Sequence, residues 1–266
     1  MIQNAIRNYG GKNGMYNKIL PYFPDPKTYN TYIEPFSGSY SLGIRLNPPP
    51  INEIYNDLDK NLYSLYKVLG DKTLFPSFKE KCDLYLYSED FRIEFKDKLK
   101  DKDLDIVDRA FYYFYVNRTS HNSIGGLSIN LVHRRKMAKS VSDFLSAIDG
   151  LEEIHQRLSK VIVLNRDGIQ LIKKYNNSDT FIYCDPPYHQ STRTAARYPT
   201  DMNNEKQTEF LNACIGSKSK ILISGYDCKE YEILNQNGFT QIDFEVKTMG
   251  GDFNPKTKIE TLWKNY

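Results

Sequence analysis

Thr180-Phe181-Ile182-Tyr183-Cys184-Asp185-Pro186-Pro187-Tyr188 is a short apolar run that ends abruptly in an acid, two prolines and an aromatic ring. A run rich in β-branched and aromatic residues, stopped by a proline pair, predicts a buried strand followed by a rigid turn. The prolines fix φ and remove two backbone donors while keeping their carbonyls as acceptors. Asp185 offers a carboxylate, the Pro186 carbonyl is a second acceptor next to it, and Tyr188 offers a ring face for stacking. A flat ring with an exocyclic amino group suits that set. The same letters also describe a plain strand and a Pro-Pro turn, so the rest of the chain must choose between the two readings.

Working outward, apolar runs alternate with amphipathic stretches. Thr31–Glu34, Glu53–Tyr55, Val161–Leu164, Lys220–Ser224, Gln241–Val246 and Glu260–Trp263 read as further strands. Helical spacing appears in Leu58–Leu69, with Leu58, Leu62, Leu65, Tyr66 and Leu69 on one face, and again in Lys139–Leu158 and Asn204–Ile215. This rhythm predicts an α/β fold, with the last two strands forming an antiparallel pair at one edge. From about Ser77 the rhythm breaks. A charge-rich stretch leads into Phe111-Tyr112-Tyr113-Phe114-Tyr115 and then into a basic, loop-like region with Gly125-Gly126 in its middle. The expected organisation is a catalytic domain over 1–76 and 140–266, interrupted by a mostly helical insertion over 77–139.

The 266 residues, 40% of them apolar, suffice for one sizeable core with a small insertion. With 21 tyrosines, many must be wholly or partly buried. A net charge of +3 is compatible with a polyanionic partner without demanding one. Cys82, Cys184, Cys214 and Cys228 form no C-x-x-C pair and are expected to be reduced thiols of a cytoplasmic protein. The four histidines lack metal-ligand spacing, so no metal is expected. No apolar stretch reaches the length of a membrane span and no signal-peptide pattern is present, so no membrane association is expected.

Three more stretches carry chemistry. Glu34-Pro35-Phe36-Ser37-Gly38 follows a strand, where small residues let backbone N–H groups approach a ligand. It lacks G-x-G-x-x-G, which argues against a dinucleotide site. Tyr55-Asn56-Asp57-Leu58-Asp59 ends the next strand. An aspartate there either accepts from ribose hydroxyls or caps the following helix, and the two can divide those tasks. Tyr9-Gly10-Gly11-Lys12 is either a flexible turn or the presentation of a cation to a carboxylate, and it is not a phosphate-binding P-loop.

In their order these stretches resemble the Dam-like, α-group DNA adenine N6-methyltransferases, in the compact form common in bacteriophages and mobile elements. The resemblance runs from Arg7-Asn8-Tyr9-Gly10-Gly11-Lys12 through Tyr32 to Gly38, Tyr55 to Asp59, Asn117-Arg118 and Asp185 to Tyr188. It continues through Ser191-Thr192-Arg193, Leu222 to Tyr226 and Glu260 to Trp263. It implies a Rossmann-like, S-adenosylmethionine-dependent methyltransferase sheet and a site-specific adenine methyltransferase acting on double-stranded DNA by base flipping, as a monomer or weak dimer. By the same resemblance Asn8, Tyr9, Lys12, Pro35, Phe36, Ser37, Gly38, Asp57 and Asp185 would hold the cofactor. Asp185, Pro186 and Tyr188 would be catalytic. Arg118, Arg134, Arg135, Lys136, Arg193 and Arg197 are the candidate DNA contacts, each of which also reads as an ordinary surface charge. The family favours an aromatic where this chain has Asn8, and smaller residues where it has Ser39 and Tyr40.

Competing readings are methylation of cytosine N4 or of an RNA base, and a DNA-binding relative without turnover. Cytosine N4 enzymes more often carry Ser-Pro-Pro-Tyr, so Asp185 favours adenine. The resemblance leaves the target sequence open.

Overall fold

The computed structural model describes residues 2–7, 12–121, 125–188, 202–248 and 256–266. The chain divides into two compact units. One comprises Met1–Gly14, Gly38–Asn47 and Lys60–Val163, the other Met15–Ser37, Pro48–Asp59 and Leu164–Tyr266. The stretch 77–139 lies wholly in the first unit, whose bounds are wider than the expected insertion.

The strands are β1 (Thr31–Glu34), β2 (Asn52–Asn56), β3 (His133–Arg134), β4 (Met137–Ala138), β5 (Ile162–Leu164), β6 (Thr180–Cys184), β7 (Lys220–Gly225), β8 (Thr240–Thr248) and β9 (Lys256–Lys264). Seven of them form one sheet in the order β5-β2-β1-β6-β7-β9-β8. β2, β1, β6 and β7 are parallel. The register puts Ile54, Ile33, Ile182 and Ile221 on one rung, and all four are buried. That explains the continuous apolar run Thr180–Cys184, buried at every position: a strand covered on both faces has no need to alternate. β9 runs antiparallel to both β7 and β8, so the late pair closes one edge, as its spacing predicts. This is the expected α/β, Rossmann-like architecture.

The strand order determines where a ligand can sit. From β1 the chain builds outward to β2 and β5, then returns to place β6 and β7 on the other side of β1. At such a reversal the connections diverge and leave a crevice beyond the carboxyl ends of the two central strands. Those ends carry Glu34-Pro35-Phe36-Ser37 after β1 and Asp185-Pro186-Pro187-Tyr188 after β6.

The helices are α1 (Tyr16–Ile19), α2 (Lys60–Gly70), α3 (Phe75–Leu84), α4 (Glu89–Lys98), α5 (Ile106–Thr119), α6 (Lys139–Asp149), α7 (Leu151–Leu158), α8 (Gly168–Lys174), α9 (Asn204–Ile215) and α10 (Glu232–Gln236). In the sheet-bearing unit Ile169 and Ile172 of α8, Phe210, Leu211 and Cys214 of α9 and Leu234 of α10 pack with the isoleucine rung. Asn203 caps α9 by accepting from the Lys206 N–H at 2.9 Å. In the other unit no residue of α5 is exposed, and Phe111, Tyr112, Phe114 and Tyr115 are all buried. Phe95 of α4 stacks on Tyr112 at 4.6 Å and meets Tyr115 edge-on at 5.0 Å. Much of the high tyrosine content is thus core. The single helix expected over Lys139–Leu158 is two, broken at Gly150, where the missing side chain removes both packing and helix propensity.

Candidate active site

The turn after β1 is built by a buried carboxamide. Asn56, with no exposed surface, donates through Nδ2 to the Pro35 carbonyl at 2.8 Å and to the Arg166 carbonyl at 2.9 Å. Its Oδ1 accepts from the Arg166 N–H at 2.9 Å. Ser37 adds a backbone bond to the Asn56 carbonyl at 2.9 Å, and its hydroxyl both donates to the Glu34 carbonyl at 2.7 Å and accepts from the Asn56 N–H at 3.0 Å. Three chain segments are therefore fixed to one another at the strand ends. Gly168 completes the packing. A Cβ there would come within 2.6 Å of the Phe36 ring and 2.9 Å of the Pro35 carbonyl, so α8 approaches this turn only because the residue is glycine.

Asp57 follows at the end of β2 and is buried. Its Oδ1 accepts from the Asp59 N–H at 2.9 Å, and its backbone carbonyl accepts from Asn165 Nδ2 at 2.7 Å. The Asp59 bond closes a tight turn ahead of α2, which begins at Lys60.

After β6, Asp185 Oδ1 accepts from the Ser224 hydroxyl at 3.0 Å. Ser224 shares a second hydrogen bond, 2.8 Å long, with the buried Tyr183 hydroxyl. The acid of the proline motif is thus held by the adjacent strand β7. The Pro187 carbonyl accepts from Gln207 Nε2 at 2.7 Å, and Gln207 Oε1 in turn accepts from the Tyr231 hydroxyl at 3.2 Å. Tyr188 donates its hydroxyl to Glu260 Oε1 at 2.8 Å and meets the Tyr226 ring edge-on at 4.7 Å. Burial, reinforced by the negative charges of Asp185 and Glu260, pushes the Tyr188 phenol well above its usual range, so it stays a donor at neutral pH.

The remaining candidates distribute as follows. Asn8, Tyr9, Arg193 and Arg197 lie outside the described residues. Lys12 is buried in the helical unit, and Gly38 takes a positive φ of 51°. Arg118 lies on α5 and is partly buried. Its Nε donates to the Ala5 carbonyl at 2.7 Å and its Nη2 to the Asn4 carbonyl. Burial lowers its pKa to about 10, which leaves it charged. A guanidinium bonded to two backbone carbonyls braces the N-terminal segment. Asn117 adds to the brace, accepting from the Arg7 N–H at 2.9 Å and donating to its carbonyl at 2.7 Å.

Arg134, Arg135 and Lys136 do come together, on the β3–β4 hairpin, and all three are exposed. Arg135 and Lys136 are the two turn residues, with φ of 53° and 59°. Asn and Gly normally fill that turn because both positions need positive φ. Placing Arg and Lys there costs backbone strain, and Arg135 reaches back to α6, donating to the Ser146 hydroxyl at 3.1 Å and pairing with Asp149 at 3.6 Å. Strain of this kind concentrates at functional sites. Asp143 of α6 anchors the hairpin. It pairs with Arg134 at 2.6 Å, Lys139 at 2.6 Å and Arg7 at 3.3 Å. Burial opposes ionisation of Asp143, but these cations outweigh it and hold the carboxyl below its usual range.

Sequence reading assigns no role to Asn56, Gly168, Ser224 or Glu260. Three of them lie inside stretches singled out there, Asn56 and Ser224 near strand ends and Glu260 in the middle of β9. Gly168 carries no sequence signal, because a close approach is visible only in three dimensions. Among the described residues no group of His, Cys, Asp and Glu is fit to hold a metal ion, and no helix is long and apolar enough to cross a membrane.

The chain is 23% identical over 223 residues to the type II methyltransferase M.CviBI of Paramecium bursaria Chlorella virus NC1A, covering 80% of this chain and 79% of that protein. It is 25% identical over 205 residues to the type II methyltransferase M.MjaIII of Methanocaldococcus jannaschii, covering 70% and 69%. It is 25% identical over 224 residues to the modification methylase StsI of Streptococcus sanguinis, but spans only 33% of that longer protein. Residues 9–249, from the Gly-Gly-Lys segment past the proline motif, match the model of D12 class N6 adenine-specific DNA methyltransferases. The chain belongs to the D12 class N6 adenine-specific DNA methyltransferase family.

Proposed function

We propose that this protein transfers a methyl group from S-adenosylmethionine to adenine N6 within a short specific sequence of double-stranded DNA, with the target base turned out of the helix. The observation that carries the reading is the placement of Asp185-Pro186-Pro187-Tyr188 beyond the carboxyl end of β6, at the point where the strand order reverses. There Asp185 is held by Ser224, and Tyr188 by Glu260 and Tyr226.

The residues at the strand ends fit the cofactor. Asp57 suits the ribose hydroxyls, Pro35, Phe36 and Ser37 form a tightly packed turn next to it, and Asp185 offers a carboxylate beyond the adjacent strand. By the family motif Gly38, Lys12, Asn8 and Tyr9 join this set. When bound, S-adenosylmethionine supplies an electrophilic methyl on a sulfonium. Everything else falls to the chain. An adenine amino group inside a duplex is stacked and paired, and extruding it costs a few kcal/mol. Stacking on Tyr188 returns about 1–3 kcal/mol of that. The N6 lone pair is delocalised into the ring. Hydrogen bonds from N6–H to the Asp185 carboxylate and the Pro186 carbonyl favour the pyramidal, nucleophilic nitrogen. Positioning and electrostatics supply the acceleration, and no covalent enzyme intermediate is needed. The exposed cations of the β3–β4 hairpin supply phosphate or guanine contacts, to which the proposed Arg193 and Arg197 add.

The test is transfer of radiolabelled methyl from S-adenosylmethionine to unmethylated DNA, followed by digestion to nucleosides. Label in N6-methyldeoxyadenosine is the expected result. Label in N4-methyldeoxycytidine, or none, overturns the reading.

A further inference from the structure

Glu260 is almost wholly buried, on a strand of the C-terminal hairpin, and nothing in the reaction above calls for it. A buried carboxylate is costly to keep, so its surroundings matter. In register, Thr261 faces Gly225 at the carboxyl end of β7, and Glu260 is the next residue along β9. That brings it to the end of the sheet where the proline motif lies. Its Oε1 accepts the Tyr188 hydroxyl at 2.8 Å. Tyr226, just past β7, meets the Tyr188 ring edge-on at 4.7 Å and 62°. The phenol is thus tethered at its tip by β9 and supported at its side by Tyr226. A tyrosine ring otherwise swings about two side-chain torsions, and a stacking surface that swings does not define where the base sits.

We propose that Glu260 is a positioning residue for the target base: through the Tyr188 hydroxyl, it fixes the plane of the ring on which the flipped adenine stacks. The proposal rests on the reading of Tyr188 as that stacking surface. It gives the C-terminal hairpin a task in catalysis beyond closing the sheet edge, and it separates the two parts of Tyr188. The ring meets the base and the hydroxyl meets the protein.

The experiment is a mutant cycle of Glu260→Ala, Tyr188→Phe and the double variant, with Glu260→Gln as the conservative control. Steady-state kcat and KM on unmethylated DNA, cofactor affinity and the unfolding midpoint are measured for each. Tyr188→Phe keeps the ring and removes only the tether. Loss of a hydrogen bond to a charged group is expected to lower kcat about 10- to 100-fold in Glu260→Ala and in Tyr188→Phe, with cofactor affinity unchanged within about twofold. The double variant should be no slower than Tyr188→Phe alone, and Glu260→Gln, which still accepts, should recover most of kcat. A wild-type kcat in Tyr188→Phe overturns the proposal, and so do losses that multiply in the double variant. If Glu260→Ala does not fold, Tyr188→Phe and Glu260→Gln decide alone, because neither changes the shape of the core. Absence of methyl transfer by the wild-type chain would overturn the proposed function and this inference with it. An active wild type with an indifferent Tyr188→Phe overturns only the positioning role.

Discussion

Replacing Asn56 by alanine tests whether the strand-end turn is held as the hydrogen bonds indicate. The substitution removes three side-chain bonds at 2.8, 2.9 and 2.9 Å, and it leaves the Pro35 carbonyl, the Arg166 carbonyl and the Arg166 N–H each one partner short. Asn56 has no exposed surface, so water does not replace the amide without a rearrangement of the turn. At about 1 kcal/mol net for each bond, the loss is about 3 kcal/mol. For a chain of this size that corresponds to a fall of roughly 6–12 °C in the unfolding midpoint. The Ser37 bonds to the Asn56 backbone survive, so the turn should loosen rather than vanish. Cofactor affinity should then fall about tenfold or more, because the turn proposed to hold the cofactor must be reordered on association. Asn56→Asp is the sharper control. It keeps the acceptor for the Arg166 N–H but sets a carboxylate oxygen against two carbonyls, and it should be at least as unstable as the alanine. Urea unfolding and calorimetric titration with S-adenosylmethionine supply both readouts. A stability loss under about 1 kcal/mol with unchanged affinity would refute the reasoning.

Other consequences can be checked independently. Neutralising Arg134, Arg135 and Lys136 together should weaken binding to all DNA sequences and flatten the salt dependence by about 0.9 in log-log slope for each phosphate no longer neutralised. Unchanged affinity would remove the β3–β4 hairpin from the DNA surface. Gly168→Ala places a methyl 2.6 Å from the Phe36 ring and should cost about 1–3 kcal/mol by overpacking, while lowering cofactor affinity because Phe36 must move. A stable variant with normal affinity would show that α8 and the Phe36 turn are not coupled.

Much of this architecture was legible in the letters because parallel strands advertise themselves. Thr180–Cys184 is buried at every position, so its apolar run is unbroken, and proline follows closely after it and after Thr31–Glu34. The ends of Asn204–Ile215 were equally plain, since Asn203 supplies the cap. The break at Gly150 was not, because the apolar face of α6 continues in phase into α7. Within the site, Asp185, Tyr188 and Asp57 stand out as polar or aromatic residues at strand ends. Their supports do not. Ser224, Glu260 and Asn56 matter through hydrogen bonds between residues 19 to 110 positions apart, and no local pattern encodes such pairs. Arg118 illustrates the opposite case. Its charge and its place near a basic loop suggest a surface contact, whereas its position on α5 turns it toward the carbonyls of Asn4 and Ala5.

The central claim is that the Asp-Pro-Pro-Tyr turn at the end of β6 methylates adenine. Modification-sensitive sequencing of DNA from cells expressing the wild-type chain, set against cells expressing Asp185→Ala at equal soluble yield, tests it most directly. The account predicts N6-methyladenine at one short motif with the wild-type chain and at none with the variant, whose unfolding midpoint should stay close to wild type because Asp185 is only partly buried. Methylation that persists in Asp185→Ala, or that falls on cytosine in the wild type, would contradict it.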